Sequence, residues 1–368
     1  MDVAIVTTRM IGMDAIGNFT MASAAALAKK GKVTVFTFAY ERPETDGVEV
    51  RFLGGRNAHG IGTNLRALFG TFGLAHELSR YDVLILVNPD VGSMPACHLA
   101  KRYNPKLKVV WRFHGATPPE FLSTARDRLL MRMRNRAYAW SMKRSFRVIT
   151  DSVYVKEDLE RGGLDPAKVS AMKLGVDLAK FLSGDRQKIR SVYGIGERFL
   201  ILYVGRLVNF KHVDELMDAV LHVDNACLLV AGSGPERSRL EARAKGEKRV
   251  LFAGRVPDGE LPDYYAACDV WATASRHEGF CVPIIEAMAA GKPVLVPRVT
   301  AMPETAGDGG LAYQKGDVEG LARMLERVMG DKKLYGDLAM KATARASNFE
   351  MRHVLEEYVK EIEDIYRE

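Results

Sequence analysis

A chain of 368 residues with 47% apolar, 27% charged and 8% aromatic side chains has the composition of a soluble globular protein, and its length exceeds what one simple core serves, so two domains are expected. The net charge of +7 is unevenly carried: Arg126 to Arg147 holds eight basic residues against Asp127 alone, but no zinc-finger or RNA-recognition signature accompanies them, which excludes nucleic acid as the expected partner. No run of about 18 apolar residues exists to span a bilayer as a helix. The opening "MDVAIVTTRM" lacks a secretion signal's basic and long apolar regions. Cys97, Cys227, Cys268 and Cys281 are scattered without C-x-x-C spacing. Neither a disulfide framework nor a zinc site is expected, and the chain is assigned to a reducing cytosol.

The first half alternates short apolar runs with helical stretches. "VAIVTT" leads into "NFTMASAAALAKKG" and "KVTVFTFAY", followed by "YDVLILVNP", "LKVVWRFHG" and "FRVIT". This rhythm predicts a parallel α/β sheet whose strands are buried on both faces. Between the last two runs lies the basic segment "RDRLLMRMRNRAYAWSMKRSFR". There Leu130, Met133, Ala137 and Trp140 recur at three- and four-residue steps, which predicts an amphipathic helix with one buried stripe. A basic helix of this kind rests on anionic lipid, sits near anionic ligands, or simply solvates a core helix; the sequence leaves all three open. "KLGVDLAKFLSGDRQKIRSVYGIGE" then carries no strand, and the domain boundary falls in it near residue 180. A second βα series follows: "RFLILYVGRL", "ACLLVAGSG", "KRVLFAGRV", "CDVWATAS", "KPVLVPR" and "GGLAYQ". Helical sequence resumes at Val318 and runs to the end.

Ligands of doubly wound sheets bind outside the carboxyl ends of the strands, and the residues able to carry chemistry cluster there. Gly205 ends a strand and presents Arg206 and Lys211, a pair suited to a diphosphate or, more plainly, to surface solvation. In "SRHEGFCVPIIEAMAAGKPVLV", Pro283 and Gly291 mark a helix start and stop. That start offers free backbone N–H groups to an anion. Glu286, placed in its first turn, either receives two ribose hydroxyls or complements the helix dipole. Glu278 precedes the helix in a loop where Gly279 permits close backbone approach. His114, followed by Gly115, ends a strand of the first half; it is structural, donates to a sugar hydroxyl, or acts as a general base. Gly17 is expected just before a helix, with Asn18 or Thr20 as its cap. "VAGSGPE" gives two glycines after a strand.

Together these residues resemble the retaining glycosyltransferases of family 4, the group 1 glycosyltransferases. Glu278 and Glu286 match the family's E-x7-E motif. "GRLVNFKHVDEL" looks like its G-R-x-x-x-x-K-G segment, "AGSGPERSRLE" its G-x-G-P segment, and the passage ending in "LGVDLAKF" its interdomain passage. The resemblance implies a GT-B fold, two doubly wound Rossmann-like domains with an interdomain cleft. Residues 1–178, with a final helix of about 352–368 packing back, form the acceptor side, and residues 179–351 form the nucleotide-sugar side. It implies that Arg206 and Lys211 bind the donor diphosphate beside Gly205 and the N–H groups of Phe280, Cys281 and Val282. Glu286 then holds the ribose, and Glu278, with Gly279, the sugar hydroxyls. Val256 lies against the base with Glu260 as neighbour, Gly17 closes on the donor, and His114 approaches the sugar's C6 side or the reacting centre. Departures are Leu174 for the Asn of N-G-V-D, His212 for the Gly after the lysine, Cys281 for a frequent Gly, and a first loop "GMDAIG" in which only Gly17 survives at the third glycine position.

The implied activity is retaining transfer of a hexose from GDP-mannose or a UDP-sugar to an acceptor hydroxyl, without a cofactor or an essential metal, since no D-x-D-like cluster ends a strand. The acceptor is a glycolipid, a polyprenyl-linked glycan, a polysaccharide or a soluble sugar. The chain is placed in the cytoplasm, with peripheral contact to anionic membrane through Arg126–Arg147 as one option, and its oligomeric state is open. The alternative is a non-catalytic nucleotide-sugar-binding module of the same fold. A dinucleotide-dependent oxidoreductase lacks its G-x-G-x-x-G turn after "VAIVTT".

Overall fold

Uninterrupted runs of Val, Ile and Leu have no exposed face to offer, so their strands pair side by side in all-parallel sheets covered by helices. The computed structural model of the chain describes residues 1–8, 15–38, 45–53 and 71–368, and these form two units. One comprises Met1–Gly175 with Arg352–Glu368, the other Val176–Met351.

The first unit holds seven strands: β1 (Val3–Thr7), β2 (Val33–Thr37), β3 (Val48–Phe52), β4 (Val83–Val87), β5 (Lys108–Phe113), β6 (Arg147–Thr150) and β7 (Val169–Ala171). Their order is β3-β2-β1-β4-β5-β6-β7, parallel throughout. β1, β2 and β4 are buried along their whole length. The two edge strands escape the sequence reading for a common reason. β3 is half-exposed and carries Glu49 and Arg51, and β7 has only three residues, so neither shows an apolar run. The strand order reverses between β1 and β4, and His114 follows β5 one strand further on.

Two expectations for this unit are corrected. Gly17 lies inside the helix Ala15–Ala28 and is buried there, and Thr20 back-bonds through Oγ1 to the Ile16 carbonyl at 2.7 Å, so it is no cap; residues 12–14 of the same loop lie outside the described residues. The basic helix spans Ala125–Arg144, capped by Thr124 accepting from the Asp127 N–H. Arg147 belongs to β6. Of its expected buried stripe only Ala137 packs on the core; the rest points outward, Leu130 being 52%, Met133 59% and Trp140 41% exposed, with Leu129 at 59% beside them. Tyr138, Ser141 and Met142 face the core. Their grip is polar as well as apolar, since the Tyr138 hydroxyl donates to the Pro89 carbonyl and Trp111 Nε1 donates to Ser141 Oγ.

The final helix, Met351–Arg367, completes the first unit. Tyr358 meets Phe19 edge-on at 5.7 Å, and Arg147 grips the Glu368 carboxylate through both oxygens at 2.6 and 2.8 Å.

The second unit holds β8 (Phe199–Val204), β9 (Ala226–Ala231), β10 (Val250–Gly254), β11 (Val270–Ala272), β12 (Val294–Pro297) and β13 (Gly310–Tyr313), one for each run read from the sequence. The order β10-β9-β8-β11-β12-β13 is again parallel, and it reverses between β8 and β11. At such a reversal the loops leave the sheet in opposite directions and open a crevice.

The two glycines after β9 support the loop that follows β8. A Cβ on Gly232 would stand 1.8 Å from the Gly205 carbonyl oxygen, and one on Gly234 would stand 2.2 Å from that of Leu207. With no side chains in the way, Gly205 and Leu207 donate to the Ala231 and Ser233 carbonyls at 3.0 and 2.8 Å. Gly232→Ala is therefore expected to push the loop off the sheet and to destabilise the chain by roughly 2 kcal/mol. A urea midpoint unchanged from wild type would show that the loop yields freely.

Candidate functional site

Two loops meet at the β8/β11 reversal. After β8, the Tyr203 hydroxyl donates to the Arg206 carbonyl at 3.0 Å and folds the chain back; Arg206 itself is exposed. A 3-10 turn, Asn209–Lys211, then ends at His212, whose left-handed backbone (φ 45°, ψ 47°) starts the helix Val213–Leu221. After β11 the chain runs through Arg276 and Glu278 to Cys281, also left-handed (φ 70°, ψ 71°), which starts the helix Val282–Ala289. Both residues replace glycines of the family pattern. The missing glycines mark positions where the backbone still takes the conformation glycine adopts without strain.

Charge ties the loops together. Lys211 Nζ pairs with Glu278 Oε1, the two side chains being only 13% and 14% exposed. Glu215 receives His212 Nδ1 at 3.1 Å and pairs with Arg276, whose backbone N–H donates to the Phe210 carbonyl at 2.8 Å. Glu278 is held in turn by its own N–H donating to Thr300 Oγ1 at 3.1 Å. Phe280 is buried against Phe349, and Thr305 Oγ1 donates to its carbonyl at 2.7 Å. This fixes the chain just before the helix terminus.

Glu286 is one turn deeper than expected: the first turn of its helix holds no acid, so dipole complementarity does not account for it. Its Oε2 accepts the Tyr265 hydroxyl at 2.6 Å. Burial pushes its carboxyl up to about 7, against the lowering effect of that hydrogen bond; Asp258, in the loop after β10, raises it further, and Lys180 opposes. The Tyr265 phenol is itself pushed well above its ordinary value, first by burial and then by Glu286. The helix closes as the sequence indicates: Gly291 takes φ 71° while Gly291 and Lys292 donate to the Met288 and Ala287 carbonyls, a Schellman closure. Val256 is half-buried in the loop after β10. Glu260 is exposed and starts the helix Leu261–Ala267 without a side-chain cap.

The second unit thus brings Gly205, Arg206, Lys211, Glu278, Gly279 and Cys281 to two neighbouring loops, with Glu286 behind them. His114 belongs to the first unit, where its Nδ1 meets Asp151 Oδ2 at 2.7 Å. Sequence reading missed Glu215, Arg276, Tyr265 and Asp151. Each acts on a residue distant in the chain, and only the sheet order brings the pairs together.

The family described as "Glycosyl transferases group 1" matches residues 185–345, and that described as "Glycosyltransferase Family 4" matches residues 16–180. The chain belongs to the group 1 glycosyltransferases. It is 26% identical over 313 residues to a phosphatidylinositol N-acetylglucosaminyltransferase subunit of Arabidopsis thaliana, covering 81% of this chain and 67% of that protein. It is 31% identical over 173 residues to a GDP-mannose-dependent alpha-(1-6)-phosphatidylinositol dimannoside mannosyltransferase of Mycobacterium tuberculosis, covering 45% of each. Several other curated relatives are matched over about half of their length or less. Among solved structures, Anabaena Alr3699/HepE in complex with UDP and glucose superposes with a TM-score of 0.80 at 20% identity, covering 99% of both chains. That likeness establishes the GT-B fold class.

The Glu286 carboxyl yields a pH signature of stability. In the unfolded chain it titrates near its ordinary value of 4.5, and in the folded chain at about 7. Between these the folded state keeps a proton that the unfolded state has lost, so stability falls as pH rises through that window and the loss is complete above it. Glu286→Gln is expected to raise the melting temperature at pH 8, relieving at most about 3 kcal/mol, and to change it little near pH 4. A variant less stable than wild type at pH 8 would contradict the assignment.

Proposed function

We propose that the chain transfers a hexose from a nucleoside diphosphate sugar to an acceptor hydroxyl with retention of anomeric configuration. The observation that carries this reading is the Lys211–Glu278 pair at the β8/β11 reversal, flanked by exposed Arg206 and a helix terminus. An arriving diphosphate takes Arg206, Lys211 and the N–H groups of Phe280 to Val282, while Gly205 and Gly279 allow its close approach. Glu278, released from Lys211, is then free to accept the sugar's hydroxyls, and Glu286 takes the ribose. Val256 and Glu260 flank the base. As the C1–phosphate bond breaks, negative charge grows on the leaving oxygen, where these fixed donors stabilise it most, with no metal required. The acceptor oxygen bonds to C1 on the same face, and its proton passes to the leaving phosphate.

Relatives that use GDP-mannose and a similar fold solved with UDP support a nucleoside diphosphate donor without choosing the base. Lys211→Ala and Glu286→Ala are each expected to lower kcat/KM by ~100-fold or more with the fold intact, a loss of about 3 kcal/mol of transition-state stabilisation. A panel of GDP- and UDP-sugars in thermal-shift and turnover assays identifies the donor. Near-normal transfer by both variants would sink the site, and binding without turnover would make the chain a non-catalytic module.

The acceptor is proposed to be lipid-linked and met at an anionic membrane surface. Leu129, Met133 and Trp140 are exposed on the helix Ala125–Arg144, amid the exposed cations Arg126, Arg132, Arg136, Lys143 and Arg144. Arg144 lies 4.5 Å from the centre of the Trp140 ring, an arrangement suited to the headgroup layer. Among the described residues no helix is long and apolar enough to cross a membrane, so contact of this kind is peripheral. Flotation with vesicles containing phosphatidylglycerol is expected to carry the protein at low salt and to release it at high salt. Trp140→Ser with Arg132→Glu and Arg136→Glu is expected to abolish flotation. Retention of binding by that variant would remove this face from the proposal.

A further inference from the structure

The first unit buries a charged group that the donor-site reading leaves unused. In the pairing of β5 with β6, Phe113 stands opposite Thr150, so His114 and Asp151 are the next residues out at the carboxyl ends of neighbouring strands. The His114 Nδ1 to Asp151 Oδ2 distance is 2.7 Å, and each side chain is 2% exposed. Arg112 reaches the other carboxylate oxygen at 2.9 Å and donates to the Thr150, Met172 and Lys173 carbonyls. The guanidinium lies 5.3 Å from the Phe19 ring centre and 5.7 Å from that of Tyr358, so Arg112 is held and Asp151 with it.

A carboxylate at Nδ1 requires a proton there, because Asp151 offers only acceptors. The neutral ring then carries its lone pair on Nε2. That nitrogen is buried and has no hydrogen-bond partner among the described residues, although buried polar atoms are normally satisfied. An acceptor left open in this way fits a hydroxyl donor. Donation from His114 to a sugar oxygen, one of the roles read from the sequence, would need a proton on Nε2, as in the opposite tautomer or the imidazolium.

We propose that Asp151 is a positioning residue that fixes His114 as the Nδ1–H tautomer, so that Nε2 accepts a hydrogen bond from a substrate hydroxyl. The substrate part of this proposal rests on the transferase reading; the tautomer does not. The hydroxyl comes from the transferred sugar or from the acceptor, and the two are separated by which KM responds.

The first measurement is the ring nitrogen spectrum of 15N-histidine-labelled protein near neutral pH, with His114 assigned by the loss of its signals in His114→Gln. The Nδ1–H tautomer is expected in wild type. In Asp151→Asn the amide can present its NH2 group to Nδ1, and the ring is expected to switch to Nε2–H. That variant should lose ~10- to 100-fold in kcat, with a raised KM for whichever substrate supplies the hydroxyl, and Asp151→Glu should recover part of the rate. A wild-type ring protonated at Nε2 would overturn the proposal even if the variants fail to fold. Unchanged rate and tautomer in a folded Asp151→Asn would overturn it as well. Absence of turnover by wild type with every nucleotide sugar would remove the transferase reading while the spectrum still decides the tautomer.

Discussion

The ion pair between Lys211 and Glu278 is the constraint around which the second unit's site is organised. Two charges withdrawn from water are tolerable only as partners, and removing either leaves the other uncompensated. Sheet order makes the pair possible: β8 and β11 are neighbours, so the loops that follow them are held side by side, 67 residues apart in the chain. The second link, from His212 through Glu215 to Arg276, repeats the device a few ångströms along. On the proposed reading, an incoming anion meets a lysine already in place, and the glutamate it displaces is freed at the same spot. Binding therefore exchanges one compensated charge for another and does not have to desolvate a bare cation.

Strain is stored in these same loops. His212 and Cys281 both sit in left-handed backbone that L-residues enter at a cost, and each begins a helix of the site. Histidine tolerates that region better than most residues and gains the Glu215 contact besides. For Cys281 the structure provides no comparable return, and its thiol, pushed well above its ordinary value chiefly by burial, stays protonated.

The fold was largely legible because its strands are buried on both faces, where apolar runs are unmistakable. β3 and β7 were invisible for the converse reason, since an edge strand has a polar side or little length. The outer face of the helix Ala125–Arg144 was misread because periodicity reports that apolar residues share a stripe but not which way the stripe faces. The residues proposed for the donor site were singled out by motif spacing, and even the departures were informative, since both lost glycines fell at positive φ. Tyr265, Glu215, Arg276 and Asp151 carried no such signal. Each works by holding another residue, and such a role appears only when a sheet has set the strands in order.

The Met351–Arg367 helix has a consequence for how the molecule is made. Tyr358 walls Arg112, which fixes Asp151 and through it His114, so the charged group at the end of β5 leans on a helix that follows the second unit in the chain. Synthesis runs from the amino terminus, so the wall that Tyr358 gives Arg112 can form only after the whole of the second unit has left the ribosome. Until then the Phe19 edge and the Arg112 guanidinium lack the ring that packs against them. A chain cut before Tyr358 keeps Arg112, Asp151 and His114 but loses the ring that walls the guanidinium.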